Sequence, residues 1–363
     1  MSPQQKALFL AKKQGNFEIR SRSIPSPGTG QLLVKVQSTA LNPVDYKIKE
    51  TGMFLTHYPA ILGSDIAGIV EEVGEGVENF CKGDNVLAHG TFTNDLAAFQ
   101  QYTLTVASFT AKIPSNLSFD SAATVPLGLD TALTGMYGKH NGAGITPPWE
   151  EGGSHDNTPD KPIVIIGGSS SVGSYGEQSG TRLSNPHPNR IAAIQLARLS
   201  GFYPVIATAS AYNERLVRNY GATHFFDRHL SGSQLKEAIS RVTDKPIGVV
   251  YDAISLPETQ PIGWGLLAKN GVLVLTLSPS VKEDEGKGRK VISTSGSPHS
   301  PQNKELGRNA WAMVEEWLSE GDIQPNKYEV LPDGLEGIIE GLARMKNGEV
   351  SGTKLVAHPQ ETW

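Results

Sequence analysis

The chain has 363 residues, 38% hydrophobic and 19% charged, which is long enough for two cores and too apolar for a disordered chain. Its net charge of −5 argues against a nucleic-acid partner, which calls for a basic surface. A single cysteine, Cys81, excludes an intrachain disulfide and a cysteine-built zinc site and suits a reducing compartment; no basic-then-apolar leader is read in Met1–Leu10, and no run approaches about 20 apolar residues, so a cytoplasmic protein without a signal peptide or membrane span is expected.

The first part of the chain reads as β-rich. Lys6–Leu10, Gln31–Ala40, Gly68–Glu72, Val86–Ala88 and Gln101–Thr105 have strand-like content with Gly and Pro between them, the pattern of a small barrel. Phe119–Tyr137 has helical spacing, and Asn141–Pro162 reads as a long surface loop. Beyond it, strands are predicted at Pro162–Ile166, Tyr203–Ala207, His224–Phe226, Gly248–Asp252 and Gly271–Leu275, with helices at Ala192–Gly201 and Asn213–Tyr220. Such alternation implies a doubly wound parallel sheet. The charged run Lys282–Lys290 reads as a solvated loop. Helices at Leu306–Glu320 and Gly334–Asn347 and a strand at Gly352–Ala357 close the chain.

Ile163-Val164-Ile165-Ile166-Gly167-Gly168-Ser169-Ser170-Ser171-Val172-Gly173 is the most informative segment. An apolar strand runs into a Gly/Ser turn of the kind that brings backbone N–H groups against a pyrophosphate; an ordinary strand-to-helix turn is the alternative. The next strand ends at Ser210, where an enzyme using NAD usually places an acid for the ribose 2′-hydroxyl. With Asn213 and Arg215 nearby, Ser210 tolerates a 2′-phosphate, which favours NADPH; Arg215 on a solvated helix face is the plain alternative.

Asn42-Pro43-Val44-Asp45-Tyr46-Lys47, Leu62-Gly63-Ser64-Asp65-Ile66-Ala67-Gly68 and Gly83-Asp84-Asn85-Val86 resemble the medium-chain dehydrogenase/reductase superfamily. Pro147-Pro148-Trp149-Glu150, the Gly167–Gly173 turn, Ser297-Pro298-His299 and Val350-Ser351-Gly352-Thr353-Lys354-Leu355 resemble its fungal branch of trans-acting enoyl reductases of polyketide assembly and ToxD-like relatives. The resemblance implies an α/β protein: a GroES-like β-barrel substrate domain from residues 1–134 plus 301–363, and a Rossmann domain for NADPH from 135–300. It implies reduction of the C=C bond of an α,β-unsaturated carbonyl or carrier-bound thioester, with a polyketide synthase as partner. A quinone or small-enone reductase, or a non-catalytic relative that binds NADPH, shares the same motifs.

By resemblance, Val44, Asp45, Tyr46 and Lys47 line the nicotinamide and phosphate side of the cleft. Gly168, Ser169, Ser170, Ser171 and Val172 meet the pyrophosphate, and Ser210, Ala211, Tyr212, Asn213, Arg215 and Arg228 the adenosine end. Leu275, Thr276, Val350 and Ser351 meet the nicotinamide end. Val125, Pro126, Leu127, Gly128, Leu129, Asp130, Thr131 and Ala132 match the substrate-cleft helix, with interdomain packing as the alternative. Zinc enzymes of the superfamily put Cys where this chain has Asn42 or Asp45 and Gly-His-Glu where it has Gly63-Ser64-Asp65, so no metal is expected. Relatives that use a tyrosine proton donor have it near Phe54 of this chain; Tyr58 is an imperfect match, and water is the alternative source. Ser174–Ile191 departs from the pattern by separating the glycine turn from Ala192-Ala193-Ile194-Gln195-Leu196-Ala197. It reads either as a translated intron or as a genuine loop insertion.

Overall fold

The computed structural model describes residues 3–153, 161–168, 188–283, 287–350 and 352–363. β1 (Gln4–Leu10) and β2 (Phe17–Ser23) pair antiparallel from Gln4 opposite Ser23 to Leu10 opposite Phe17. β2 went unpredicted because it is a polar edge strand: it exposes Glu18 and Arg20, charges that discourage further pairing. β3 (Gln31–Ala40) is largely buried, and its register with a later strand shifts at Leu33/Val34 and Val36/Ser38, irregularities that bend a strand.

α1 (Pro43–Thr51) is a helix where none was predicted. Pro43 sits in its first turn, the helical position where a missing N–H costs least, and the Asp45 carboxylate accepts the Asn42 N–H at 2.8 Å. β4 (Ala60–Ile61) then pairs with β1, completing a three-stranded sheet. β5 (Asp65–Val73), β6 (Asn85–His89), β7 (Tyr102–Val106) and β8 (Thr110–Lys112) join β3: β5 and β7 pair with β3, β6 with β5, and β8 with β6, all antiparallel.

The helical stretch 119–137 is two helices, α2 (Phe119–Ala123) and α3 (Pro126–Tyr137). Pro126 cannot donate to the preceding turn, so it opens a new helix instead of continuing the old one. Every α3 residue except Leu127 is buried, because α3 is clamped on two sides. Tyr137 Oη meets Ser200 Oγ at 2.6 Å, and Tyr251 Oη donates to the Thr131 carbonyl at 3.2 Å.

β9 (Ile163–Ile166) leads into the parallel part. α4 (Pro188–Leu199) starts inside the segment read as an insertion, which corrects the expected start at Ala192; a proline is pre-set for a helix's first turn. There follow β10 (Val205–Ala209), α5 (Glu214–Asn219), β11 (His224–Asp227), α6 (Gly232–Ser240), β12 (Val249–Asp252), α7 (Gln260–Leu266), β13 (Val272–Leu275) and β14 (Lys290–Ser293). The six strands are parallel in the order β11-β10-β9-β12-β13-β14, which is the dinucleotide-fold order 3-2-1-4-5-6. β14 begins at Lys290, the last residue of the charged run, and the described residues before it in that run are in neither helix nor strand. Side chains alternate between two cores: Ile163 and Ile165 pack with α3 and α4, Val164 and Ile166 with α6 and α7. Burial on both faces explains the unbroken apolar run.

α8 (Lys304–Trp311) and α9 (Val314–Glu320) replace the single helix expected at Leu306–Glu320; nothing in the structure explains the break. β15 (Tyr328–Val330), α10 (Gly337–Lys346) and β16 (Lys354–Ala357) follow. β16 pairs antiparallel with β3, Val356 opposite Ala40. The chain's last strand thereby lies beside its third and delivers Lys354 to the start of β5. No helix among the described residues is long and apolar enough to cross a membrane.

Candidate active site

Four elements converge at the start of β5. Asp65, fully buried, is the hub. Its Oδ2 accepts the Asn42 side-chain amide at 2.7 Å and the Lys354 ammonium. Its Oδ1 accepts the Leu127 N–H at 2.7 Å, in the first turn of α3, and its backbone carbonyl accepts Thr39 Oγ1 at 2.7 Å. Lys354 Nζ also donates to the Thr124 carbonyl at 3.2 Å. One carboxylate thus ties α1, α3 and β16 to β5, and Lys354 extends the link to Thr124 at the end of α2. Gly63 makes the approach possible: it is left-handed (φ 86°), and a Cβ there would lie 2.4 Å from the Phe99 ring.

Asp45 is buried beside this hub. Burial pushes its carboxyl up to about 7, and the Asp65 charge adds to the rise; the Asn42 and Gly63 backbones and Lys354 oppose it. Ser64 Oγ is buried without a hydrogen-bond partner among the described residues; the Asn42 side chain faces the Asp45 N–H in a capping box and the Gly63 N–H faces the Asp45 carboxyl, contacts too poorly aligned to satisfy Asn42 Oδ1 and Asp45 Oδ1 fully. Val44, Tyr46 and Lys47 are half-buried on α1. Tyr58 packs against the barrel core, and its hydroxyl is buried with no partner among the described residues.

Asp65 lies opposite His89 across β5 and β6. His89 Nδ1 meets Asp130 Oδ2 at 2.6 Å, and the Trp311 indole N–H lies 3.1 Å from each Asp130 oxygen. Burial raises the Asp130 carboxyl, against the lowering by its His89 and Trp311 hydrogen bonds. His299 Nε2 meets the His89 carbonyl at 2.8 Å, and burial holds its imidazole down at about 4. Of the helix read as substrate-binding, Leu127 and Asp130 are therefore tied to polar partners. Thr131 abuts Gly296, where a Cβ would fall 2.2 Å from its hydroxyl. Val125, Leu129 and Ala132 lie in the hydrophobic core, and Pro126 and Gly128 are buried with them.

The second wall is the carboxyl edge of the parallel sheet. Gly168 N–H donates to the Thr208 carbonyl at 2.6 Å, and a Cβ there would meet Ala207, Ile194 and Val217 at 3.1–3.2 Å; glycine lets β9 sit this close to β10 and α4. Ser169, Ser170, Ser171, Val172 and Ser351 lie outside the described residues, as does 174–187 of the segment read as an insertion. Ser210 ends β10 buried, and Ala211, Tyr212 and Asn213 form a single tight turn after it. Tyr212 and Arg215 are exposed, and the half-buried Arg228 donates its N–H to the Ala209 carbonyl at 2.9 Å. Leu275 is buried at the end of β13; Thr276 N–H donates to Ser255 Oγ at 2.8 Å. Val350 is buried, and a Cβ on Gly352 would stand 3.6 Å from Asn213 Oδ1. The C-terminal segment therefore lies against the turn after β10.

The hub residues Asn42, Asp65 and Lys354 stood in the quoted motifs without being read as site residues. Asp252, which caps the Ile254 and Ser255 N–H groups at 2.9 Å, had no sequence signal beyond ending a strand.

Family models match twice: an alcohol dehydrogenase GroES-like domain over residues 28–115 and a zinc-binding dehydrogenase over residues 191–305. The trans-enoyl reductase resD of Aspergillus sclerotiorum is 33% identical, covering 93% of this chain and 95% of its own. The enoyl reductase component lovC of the lovastatin nonaketide synthase of Aspergillus terreus is 29% identical over 98% of this chain and 96% of its own. A mycobacterial structure complexed with NADPH superposes with a TM-score of 0.72 at 19% identity, covering 98% and 100% of the two chains; at that identity it shows the fold alone.

Proposed function

The chain belongs to the family of the fungal trans-enoyl reductases, within the medium-chain dehydrogenase/reductase superfamily, and on that premise we propose that it reduces the C=C bond of an α,β-unsaturated carbonyl or thioester with NADPH. The observation that carries this reading is the donor set beside the nucleotide fold. Asn42, Asp45, Ser64 and Asp65 offer an amide, two carboxyls and a hydroxyl, with Asp65 already neutralised by Lys354. A catalytic zinc takes at least two imidazole or thiolate donors even where a carboxylate joins them, and this set has neither; among the described residues no group of three His, Cys, Asp or Glu is placed to hold a metal. This donor set does not fit zinc. Hydride delivery to a C=C bond already polarised by a carbonyl needs no Lewis acid.

The sheet edge suits NADPH. Gly168 lets the end of β9 pack closely on β10 and α4, and Ser210 with Asn213, Arg215 and Arg228 fits a 2′-phosphate, where an acid would repel it. NADPH, when bound, supplies the hydride. The chain's part is to hold the alkene against it, with α3 and α1 on one side and the Leu275–Thr276 turn on the other. Residues 1–134 with 301–363 then form the substrate unit and 135–300 the cofactor unit. The substrate reaches the cleft on the carrier of a polyketide synthase.

The test is NADPH oxidation with enoyl thioesters, small enones and quinones. Turnover fastest with carrier-bound enoyl thioesters supports the proposal; quinones or free enones turned over as fast overturn the carrier-bound substrate. Elemental analysis is expected to find no stoichiometric zinc, and chelators to leave turnover unchanged.

A further inference from the structure

The charged run before β14 borders a cavity that the proposed reduction does not use. The cavity holds about 720 Å³, within the roughly 300–1,000 Å³ span of small-molecule sites. Of the described residues that line it, Lys236, Lys269, Lys282, Lys287 and Arg289 are cations and none is an acid. Pro261, Trp264, Leu267 and Val281 add an apolar wall. Leu267 and Lys269 precede β13, and Lys287 and Arg289 precede β14, so these residues stand at the amino ends of the parallel strands. Ser210 and Leu275, at the nucleotide edge, stand at the carboxyl ends.

The cations are held in place. The Arg289 guanidinium lies 4.4 Å from the Trp264 ring centroid, and its Nη1 donates to the Trp264 carbonyl at 2.7 Å. The Asn270 N–H donates to the Lys287 carbonyl at 3.0 Å and the Lys290 N–H to the Gly271 carbonyl at 2.9 Å, which pins the run beside Lys269. The described acids next to these lysines in the chain are engaged: Glu237 meets Arg241 at 2.5 Å, and Glu283 Oε1 accepts the Val291 N–H at 3.0 Å. Asp284 and Glu285 lie outside the described residues. Lys236, Lys269 and Lys282 are exposed and make no ion pair among the described residues. Like charges brought together repel, yet a chain of net charge −5 gathers five cations around one cavity.

We propose that this cavity binds a small oligophosphate with an apolar body, at a site separate from the nucleotide edge. Phosphate oxygens suit lysine ammonium groups set around a fixed guanidinium, since arginine presents a rigid fork and lysine a movable point charge. Several cations around one cavity select for charge number: a monoanion leaves most of them uncompensated, and a di- or triphosphate meets them together. The apolar wall favours a ligand whose phosphates carry an aromatic or aliphatic portion. A nucleoside triphosphate and an isoprenoid diphosphate share that chemistry. A concave site of this volume takes such a molecule whole, whereas the acidic face of a protein would reach only its rim.

The test is calorimetric titration at low salt, without divalent metal, of ATP, geranyl diphosphate, tripolyphosphate, inorganic phosphate and polyglutamate. The proteins are the wild type, the triple variant Lys236→Gln/Lys269→Gln/Lys282→Gln, and Ser210→Asp, which perturbs the nucleotide edge instead. ATP, geranyl diphosphate or both should bind the wild type more tightly than tripolyphosphate and far more tightly than inorganic phosphate, and added salt should weaken them. The triple variant should lose about 10–100-fold in that affinity and keep the wild-type melting temperature, because its three lysines are exposed and unpaired. Ser210→Asp should keep the binding that the triple variant loses. ATP alone binding identifies a nucleotide ligand, and geranyl diphosphate alone an isoprenoid one. Tripolyphosphate bound as tightly as either overturns the apolar body. Equal affinity in the wild type and the triple variant, no binding below millimolar concentration, or binding of polyglutamate alone overturns the site. No readout involves turnover, so failure of the enoyl-reductase reading is seen separately.

Discussion

Two buried carboxylate networks sit side by side on one strand pair, and they are built to opposite rules. Asp130 has both oxygens taken, by His89 and by the Trp311 indole. Around Asp65, one shell out, Ser64 Oγ has no partner among the described residues, and Asn42 Oδ1 and Asp45 Oδ1 have only poorly aligned ones. The first network joins α3 to β6 and α8 and leaves its carboxylate nothing further to bind. The second holds α1, α2, α3 and β16 together and leaves its outer polar atoms incompletely bonded. Saturated polar clusters fix a packing arrangement; unsaturated ones cost stability, and that cost is what a functional site retains.

The largest expected effect tests the saturated side. Asp130→Ala leaves the His89 ring and the Trp311 N–H buried without an acceptor, and it should lower unfolding free energy by about 3–5 kcal/mol in urea titrations. A loss under about 1 kcal/mol would remove the contrast. Next is the pH dependence of stability around Asp45. Its folded value, about 7, lies above the ordinary 3.8. Between those values the folded state holds the extra proton, so stability falls as pH rises and the fall is complete above about 7. Asp45→Asn does not titrate, so it should gain on the wild type with rising pH, by up to about 4 kcal/mol. Parallel unfolding curves at every pH would show that Asp45 is not held neutral.

Smaller effects lie away from the hub. Ser210→Asp places a negative charge at the buried end of β10 and should weaken NADPH binding by about 1–3 kcal/mol in fluorescence titrations; an enzyme that already favours NADH would refute the assignment. The smallest is at the chain end, where His358 bridges Glu361 at 2.9 Å and Asp120 at 2.8 Å. Burial pulls its imidazole down, but Glu361 and Asp120 win and the net shift is upward. That bridge therefore stabilises at low pH and is lost as pH rises through the raised value. The contribution should be under about 1 kcal/mol and absent from His358→Gln, as melting curves at pH 5 and pH 8 would show.

Much of the architecture was legible in local pattern. The apolar run of β9 ending in glycines, and the strand–helix alternation after it, announced a parallel sheet because both faces of such strands are buried. The polar β2 and the short β4 were not legible, since an edge strand's burial comes from one neighbour. α1 was missed because its start, Asn42-Pro43, reads equally well as a turn until Asp45 is seen to accept the Asn42 N–H. The start of α4 was placed too late because apolar periodicity begins only at Ala192, while the helix begins at Pro188.

The sequence by itself determined the class of the fold, the junction of an apolar strand with Gly167 and Gly168, and the lack of thiolate or imidazole at Asn42 and Ser64. Each follows from residues adjacent in the chain, where backbone geometry and side-chain chemistry act locally. Only the tertiary structure decided which charges meet. Asp65 and Lys354 stand 289 positions apart, and Asp130 and Trp311 181 apart. Nothing in local periodicity marks a buried ion pair, because its two halves become partners only when β16 returns beside β3 and α8 packs under α3. That closure turns Asp45 from a helix-start residue into a buried carboxyl held near neutrality.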